Sequence, residues 1–259
     1  MFLDCERVQY GKPQLLEVIC QLRFPAILSI GAKEPVEFQE LIRSEYPRYA
    51  RNIEKQPPKV LGQPGNMKLQ DQPDVVNYQF LTADGKWKVN LTNSFLALAT
   101  PAYTDWETFA QKLDEVLVHF INVYRPAFFE RIGLRYINAI SRKTLELEDV
   151  PFSELIQPGW LGLLAEDDVP ERTFARAQQE AELNLPGGCK LKLHCGPGMV
   201  KRNNVEDKEI KFIIDNDLFM NGKIEMRESA AALNTIHIHA DRAFRGAITK
   251  TLHDAMEPL

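Results

Sequence analysis

Basic side chains recur at alternate positions in segments whose intervening residues are apolar. Residues two apart on a β-strand point to the same face, so we expect these cations to share the sheet face that points away from the core. Such side chains either solvate an exposed sheet or bind an anionic partner. The predicted ligand- or partner-binding residues are Arg23, Lys86, Lys88, Arg131, Arg135, Lys190 and Lys192.

Arg131 and Arg135 flank Gly133 within the segment RIGLRYIN. On a strand, the three residues face one side, and the two guanidinium groups lie about 13 Å apart with only a glycine between them. That gap could admit a phosphate, a carboxylate or an acidic partner residue close to the backbone. In the alternative interpretation, each arginine pairs with a carboxylate of a neighbouring strand, such as Glu17 or Asp215.

Asp215 and Asp217 have the spacing of two carboxylates on one strand face. Such a pair can bind a divalent cation or divide acid and base roles between its members. No third oxygen ligand lies nearby in the sequence, and charged residues are also expected on an open sheet face. The sequence therefore assigns no metal ligand and no catalytic residue here.

His237 and His239 invite a zinc-site interpretation, but they lie in a segment with helical periodicity. Residues two apart on a helix point about 200° away from each other, so these two could not share one metal. On a strand they would face one side. His194 with Cys189 or Cys195 offers suitable ligand atoms without the spacing of a zinc site. We therefore expect surface histidines, buried thiols and no cofactor.

The overall composition limits the classes of function. The chain has 259 residues, 44% of them hydrophobic, and a formal net charge of −5. A negative net charge disfavours nonspecific binding to nucleic acid, which leaves a local basic face as the route to such a partner. No apolar run is long enough to span a bilayer and no signal peptide is evident, so we expect a cytoplasmic protein with no membrane contact.

The four cysteines form no CxxC pair, and Cys20 lies on the apolar face of a predicted strand, so reduced thiols are expected. No GxSxG, HExxH, GxxxxGK[ST] or GxGxxG motif is present. The glycines at 187 and 188 are typical of a turn. These patterns identify no reaction.

The first half of the chain predicts a strand, a short helix, three strands and a long helix. The strands are expected at 15–24, 75–81, 86–91 and 94–99, the short helix at 35–42 and a long loop at 56–73. Thr104 and Glu107 have the spacing of a capping box. An apolar stripe from Trp106 to Tyr124, which ends before Pro126, predicts the long helix.

The second half predicts the same order of elements. Strands are expected at 128–140, 173–185, 189–194 and 209–217, with a short helix at 152–156. An apolar stripe from Leu233 to Met256 predicts one long final helix.

This order predicts an α+β fold made of two similar β-α-β-β-β-α halves, 1–126 and 127–259, packed as one unit. The simplest arrangement is one curved, mostly antiparallel sheet with both long helices on one face, as in TATA-binding-protein-like or helix-grip-like folds. The duplication rests on the order of elements alone.

Three segments carry a resemblance to a known family: PQLLEVICQLRFPAIL near the start, RIGLRYINAI at 131–140 and IIDNDLF at 213–219. Together with the segment from Phe244 to Met256, they resemble a sporadically distributed, uncharacterised prokaryotic protein family of about this length. The resemblance covers nearly the whole chain and transfers no catalytic residues. It implies a setting among mobile or defence genes.

These observations favour a non-catalytic binding or adaptor protein that uses the open sheet face, in a prokaryotic defence or toxin–antitoxin context. A protein partner or self-association is expected. One alternative is a sensor that holds a small anionic ligand between sheet and loops, and another is a metal-dependent hydrolase or nuclease using the two aspartates. A deep pocket favours the sensor, a bound metal the enzyme, and a flat face the adaptor.

Overall fold

The computed structural model describes residues 2, 4, 6–55, 58–61, 68–70, 74–202 and 205–259. Its helices are α1 (Leu28–Ala32), α2 (Val36–Ile42), α3 (Trp106–Tyr124), α4 (Phe152–Leu155), α5 (Pro158–Leu161), α6 (Ser229–Ala247) and α7 (Lys250–Ala255). Its strands are β1 (Leu15–Arg23), β2 (Arg48–Glu54), β3 (Lys59–Leu61), β4 (Lys68–Gln70), β5 (Val75–Leu81), β6 (Lys88–Leu91), β7 (Phe95–Thr100), β8 (Phe129–Ile140), β9 (Gln179–Asn184), β10 (Lys190–Gly198), β11 (Lys201–Arg202), β12 (Val205–Glu206) and β13 (Lys211–Ile224).

Nine strands form one open sheet in the order β2-β5-β6-β7-β1-β8-β13-β10-β9. Every pairing in this sheet is antiparallel. The prediction of an α+β fold with a single, mostly antiparallel sheet is confirmed. From the central β1–β8 pair outward, the first half contributes β1, β7, β6, β5 and β2, and the second half contributes β8, β13, β10 and β9. In each half, the first strand is therefore followed by the last strand and then by the preceding ones.

The long helices α3 and α6 cover one face of the sheet. The apolar stripe of α3 buries Phe109, Leu113, Val116, Leu117 and Phe120, as its three- and four-residue spacing requires. In the strands, alternate residues such as Val18, Cys20 and Leu22 of β1 are fully buried beneath the helices. The core therefore lies between one sheet face and the helical layer.

The helix starts where it was expected, but the capping residue is different. Asp105, not Thr104, is the N-cap of α3, and its carboxylate accepts a hydrogen bond from the Thr108 amide at 2.7 Å. Asp105 has extended backbone angles and Thr104 donates its hydroxyl to the Asp105 carboxylate. The predicted Thr104–Glu107 capping box is therefore wrong by one residue.

The predicted final helix is two helices. Ile248 adopts extended angles (φ −104°, ψ 148°) and pairs with Ile156 as an isolated bridge. The Thr249 side chain then caps α7 by accepting from the Leu252 amide. Because α6 and α7 both bury their apolar residues, the periodic stripe runs across this break without revealing it.

Strand β2 was not predicted, since its charged residues give no alternation of burial. It is an edge strand paired only with β5, and charge is typical of such edges. Part of the predicted 56–73 loop lies outside the described residues. Its described parts include β3 and β4, which pair with each other. No helix among the described residues is long and apolar enough to cross a membrane.

Candidate functional site

The open face of the sheet carries the predicted arginines, and Arg131 is held in a bidentate ion pair. Its Nη2 lies 2.8 Å from both carboxylate oxygens of Asp217 on β13. The guanidinium also packs over the ring of Phe219, 4.5 Å from its centroid. A Cβ added to Gly133 would lie 2.3 Å from Nη1 of Arg131. The predicted gap over Gly133 is therefore filled by Arg131 itself.

The other cations of the second half are paired in the same way. Arg135 donates through Nε and Nη2 to Asp215 at 2.7 and 2.5 Å, and the hydrogen bond with Asp215 raises the pKa of the arginine. Two further cross-strand pairs join β10 to β9, namely Lys190 with Glu182 at 3.2 Å and Lys192 with Glu180 at 3.0 Å. The alternative interpretation, pairing with carboxylates of a neighbouring strand, describes this geometry.

The first-half cations take no part in these cross-strand ion pairs. Arg23 is exposed and stands opposite Arg131 across the β1–β8 pair. Lys88 opposes Ala99 on the same face. Lys86 precedes β6, in the turn region with Asp84, whose carboxylate lies 3.8 Å away, so its predicted strand position is wrong.

The two histidines of α6 are buried, so their predicted surface position is wrong. As the helical geometry requires, they point to different partners. His239 Nε2 lies 3.0 Å from the Pro186 carbonyl oxygen, and His237 Nδ1 lies 3.0 Å from the Tyr136 hydroxyl. Among the described residues, no three His, Cys, Asp or Glu side chains are grouped to hold a metal ion. Cys20, Cys189 and Cys195 are free and buried, while Cys5 lies outside the described residues.

A cavity of about 430 Å³ lies on the helix-covered side of the sheet, which the sequence did not reveal. Its floor is formed by β8 and β13, and its walls by α6, the segment 103–105 and the chain's last residues. Residues 7–15 form its roof. Its volume is in the range of small-molecule sites. The apolar and aromatic walls include Tyr10, Leu15, Phe244 and Met256.

The roof is held in place by the opposite end of the chain. The amides of Gly11 and Lys12 donate to the carbonyls of Glu257 and Met256 at 2.8 and 2.9 Å, and the Leu259 amide donates to Gln9 at 2.9 Å. These backbone bonds give residues 9–12 a fixed path over the cavity.

Polar side chains interrupt the apolar floor. Tyr136, Asn138 and Asn216 all project from the helix-covered face, where their neighbours Leu134, Ile140, Ile214 and Leu218 are apolar. Tyr136 and Asn216 are direct cross-strand partners. Asn138 is 4% exposed and Asn216 is 1% exposed. A buried amide without a partner is costly, so three polar groups at core positions require an explanation.

The two asparagines lack partners among the described residues. The Oδ1 atom of Asn216 is fully buried and accepts no hydrogen bond there. The Asn138 side chain has no hydrogen bond to the described residues either, and it lines the cavity. Both amides are therefore available to a bound molecule.

A row of titratable groups runs from Tyr103 to Asp241 beside these amides. The rings of Tyr103 and Tyr136 pack edge to face with centroids 5.8 Å apart, and the Tyr136 hydroxyl lies 3.0 Å from Nδ1 of His237. Burial raises the pKa of Tyr103 to about 12 and that of Tyr136 well above its ordinary value. Burial lowers the pKa of His237 to about 4. At neutral pH, all three are therefore uncharged.

Asp241 ends this row at the cavity wall. Its Oδ2 lies 3.4 Å from His237 Nε2, which makes no hydrogen bond among the described residues. Since His237 is neutral, this contact is not a salt bridge. Burial raises the pKa of Asp241 to about 6, although the positive charge of Arg7 acts to lower it. Arg7 itself pairs with Glu107 at 2.5 Å. The Asp241 carboxylate thus accepts no hydrogen bond from the described residues, and its side chain is 35% exposed.

The signal for this site was present in the alternation of the strands. Asn216 lies between Asp215 and Asp217, and its side chain points towards the core, as expected for alternate residues of a strand. Asn138 in RIGLRYINAI also points towards the core. A polar residue at an inward position of an otherwise apolar strand marks a cavity or a buried network.

No protein-family model matches this chain, and no curated protein matches it. Similarity therefore assigns neither a family nor an activity, and the site's chemistry has to be argued from its own residues.

Proposed function

We propose that this chain is a small-molecule binding protein whose ligand occupies the cavity between α6 and the β8–β13 floor. The observation that carries the proposal is the pair of buried amides on the cavity floor, Asn138 and Asn216, whose side chains make no hydrogen bond to the described residues. Such sites combine apolar walls with a few convergent polar groups that orient the ligand. This is the sensor class of function, in place of an adaptor acting through the open face.

The chemistry of the row beside the cavity supports binding more than catalysis. Tyr136 keeps its proton at neutral pH because burial raises its pKa, so it is a poor nucleophile. His237, with a pKa near 4, is a weak base at neutral pH. Neither group has the activation that a catalytic acid–base pair needs.

The test fills the cavity without removing a hydrogen bond. Ala240 lines the cavity, so Ala240→Leu places three extra carbon atoms in it. Saturation-transfer NMR with a set of small aromatic fragments, including acidic, neutral and basic compounds, measures binding to the whole chain. We expect several fragments to bind the wild-type protein and to lose their signal with Ala240→Leu.

The matched control is Ala231→Leu, which adds the same atoms at an exposed position of the same helix. It should leave fragment binding unchanged. Fragments that bind Ala240→Leu as well as wild type would place binding elsewhere and overturn the proposal.

A second proposal concerns the open sheet face, which we infer to be a surface for self-association. Its cations are largely neutralised by ion pairs, so it lacks the free positive charge that a nucleic acid needs. Partly exposed Ile19, Ile137 and Ile213 lie among these pairs. A face of mixed charge with apolar residues suits a protein partner.

Sedimentation at several protein concentrations tests this proposal. We expect the wild-type chain to dimerise and Ile137→Lys to remain monomeric, since the added charge lies within the face. Val118→Lys, at an exposed position of α3, is the control and should dimerise. A monomeric wild-type protein, or a dimer unaffected by Ile137→Lys, contradicts the proposal.

We also propose that 1–126 and 127–259 are copies of one ancestral unit, in the manner of TATA-binding-protein-like saddles. The support is the equivalent strand order outward from the β1–β8 pair, although β2 has no counterpart in the second half. Superposition of β1, β7, β6 and β5 on β8, β13, β10 and β9 tests it. The idea fails if α3 and α6 then fall at different positions.

A further inference from the structure

We infer that the cavity takes a heteroaromatic base carrying an exocyclic amino group, of the kind found in adenosine and cytidine. This inference rests on the proposed binding function and names the chemical class of the ligand. Several hydrogen-bonding groups that line the cavity have no partner among the described residues.

The cavity-lining groups that lack a partner among the described residues include strong acceptors. The Asp241 carboxylate is an acceptor only, and the orphaned atom of Asn216 is its carbonyl oxygen. A ligand that brings donors satisfies the buried Asn216 oxygen, which costs free energy when left unpaired, and can also pair with the Asp241 carboxylate, whose side chain is 35% exposed. An amino group supplies two donors from one atom.

Asn138 adds an amide with both a donor and an acceptor. Asparagine amides pair in bidentate fashion with the amino group and the adjacent ring nitrogen of adenine, and carboxylates accept from the amino group of cytosine. All three groups line the same cavity. Tyr136 is two residues from Asn138 and pairs with Asn216, and it contacts His237, which contacts Asp241.

The walls suit a flat ring. Tyr10, Tyr103 and Phe244 line the cavity and offer aromatic surface against which a base can pack. A cavity of about 430 Å³ has room for a nucleoside. Aliphatic amines would satisfy Asp241 but would leave this aromatic surface and the Asn138 amide unused.

The test compares nucleosides that differ in the exocyclic group, amine or carbonyl oxygen, and in the proton on the adjacent ring nitrogen that accompanies this change. Isothermal titration of the whole chain with adenosine, inosine, cytidine and uridine measures four affinities. Inosine and uridine carry a carbonyl oxygen where their counterparts carry the amine, so an acceptor would face Asp241. We expect at least one aminated nucleoside to bind at least about ten-fold more tightly than its oxo counterpart.

Single substitutions test whether the preference for aminated nucleosides arises in the cavity. Asp241→Asn keeps the side-chain size but adds a donor, so the preference should fall to within about three-fold or reverse. Asn138→Leu should weaken the aminated nucleoside by at least about ten-fold. Asp74→Asn, an exposed aspartate outside the cavity, is the control and should keep the wild-type preference. Thermal melts establish that each variant is folded.

The outcomes separate this inference from the proposed function. If wild type binds the aminated and oxo nucleosides equally, or if no nucleoside binds while fragment binding remains sensitive to Ala240→Leu, the base assignment is wrong and the cavity is still a binding site. If neither nucleosides nor fragments bind, both proposals fail.

Discussion

The imidazole of His237 stacks on the indole of Trp106, with ring centroids 4.4 Å apart and planes within 10° of parallel. The contact joins α6 to the first turn of α3 and removes the imidazole from water. This desolvation lowers the pKa of His237 to about 4. The same packing places Asp241, one helical turn later, at the wall of the cavity.

His237 and Asp241 should contribute opposite pH dependences to stability. The pKa of His237 is lower in the fold than its ordinary 6.5, so its contribution is lost as pH falls from about 6.5 to about 4. The pKa of Asp241 is raised from 3.8 to about 6, so its cost at neutral pH is relieved as pH falls through that range. In the wild-type protein the two effects oppose each other.

Urea unfolding of single variants at about pH 7 and about pH 4.5 separates the contributions of His237 and Asp241 to stability. The free energy of unfolding of wild type minus that of Asp241→Asn should increase at the lower pH, by an amount that solvent screening of the 35% exposed side chain reduces. The corresponding difference for His237→Gln should decrease by roughly 2 kcal/mol. Two differences that move in the same direction would contradict the assignment.

Gly133 and Arg131 should be energetically coupled. Gly133→Ala requires the Arg131 guanidinium to move, since the new Cβ would lie 2.3 Å from Nη1, and this breaks the bidentate bond to Asp217. We expect a loss of about 1–2 kcal/mol of unfolding free energy. In an Arg131→Met background, the same substitution should be neutral or stabilising, because alanine suits a strand better than glycine.

A double-mutant cycle by chemical denaturation measures this coupling. Additive effects of the two substitutions would mean that Arg131 does not occupy the space over Gly133.

The identity of the α3 cap is also testable. Asp105→Ala should cost about 1 kcal/mol, since the Thr108 amide loses its acceptor. Thr104→Val removes only the hydroxyl that supports the Asp105 carboxylate at 2.8 Å, and its cost should be a few tenths of a kcal/mol. Thermal or urea unfolding distinguishes them. A larger cost for Thr104→Val would restore the capping box that its spacing suggested.

Gly196 should be the least replaceable glycine of β10. Its φ is +148°, and a Cβ there would lie 2.3 Å from the Ala177 backbone oxygen. Gly196→Ala should therefore destabilise the protein by at least about 3 kcal/mol. Gly159→Ala, where no atom lies within 4 Å of the new Cβ, is the matched substitution and should be near neutral. Comparable effects at the two sites would contradict the close approach.

Regular burial made much of the fold predictable. The strand β1 and the helix α3 were found because one face of each is apolar and the other is not. The charged edge strand β2 was missed because an edge strand buries few residues and so shows no apolar alternation. The break at Ile248 was missed because two consecutive helices can share one apolar stripe.

The cavity could not be predicted from the sequence because its residues come from distant parts of the chain. Strand parity could have given the direction of Asn138 and Asn216, but only the packing of α6 and of the segment 7–15 turns those positions into a cavity. The pairing of Arg131 with Asp217 likewise depends on which strand lies next to β8, and sequence order does not specify that neighbour.

The central β1–β8 pair affects how the chain folds during its synthesis. Gln21 and Arg131, which touch across it, are 110 residues apart in sequence. During synthesis, the edge of β1 has no β8 to pair with until that strand has emerged, and unpaired edges promote aggregation. Closing such a distant pair also slows folding. Because the cavity needs residues 7–15 and residues 240–259 together, a ligand can stabilise only a chain that has been synthesised beyond these later residues, not its shorter nascent intermediates.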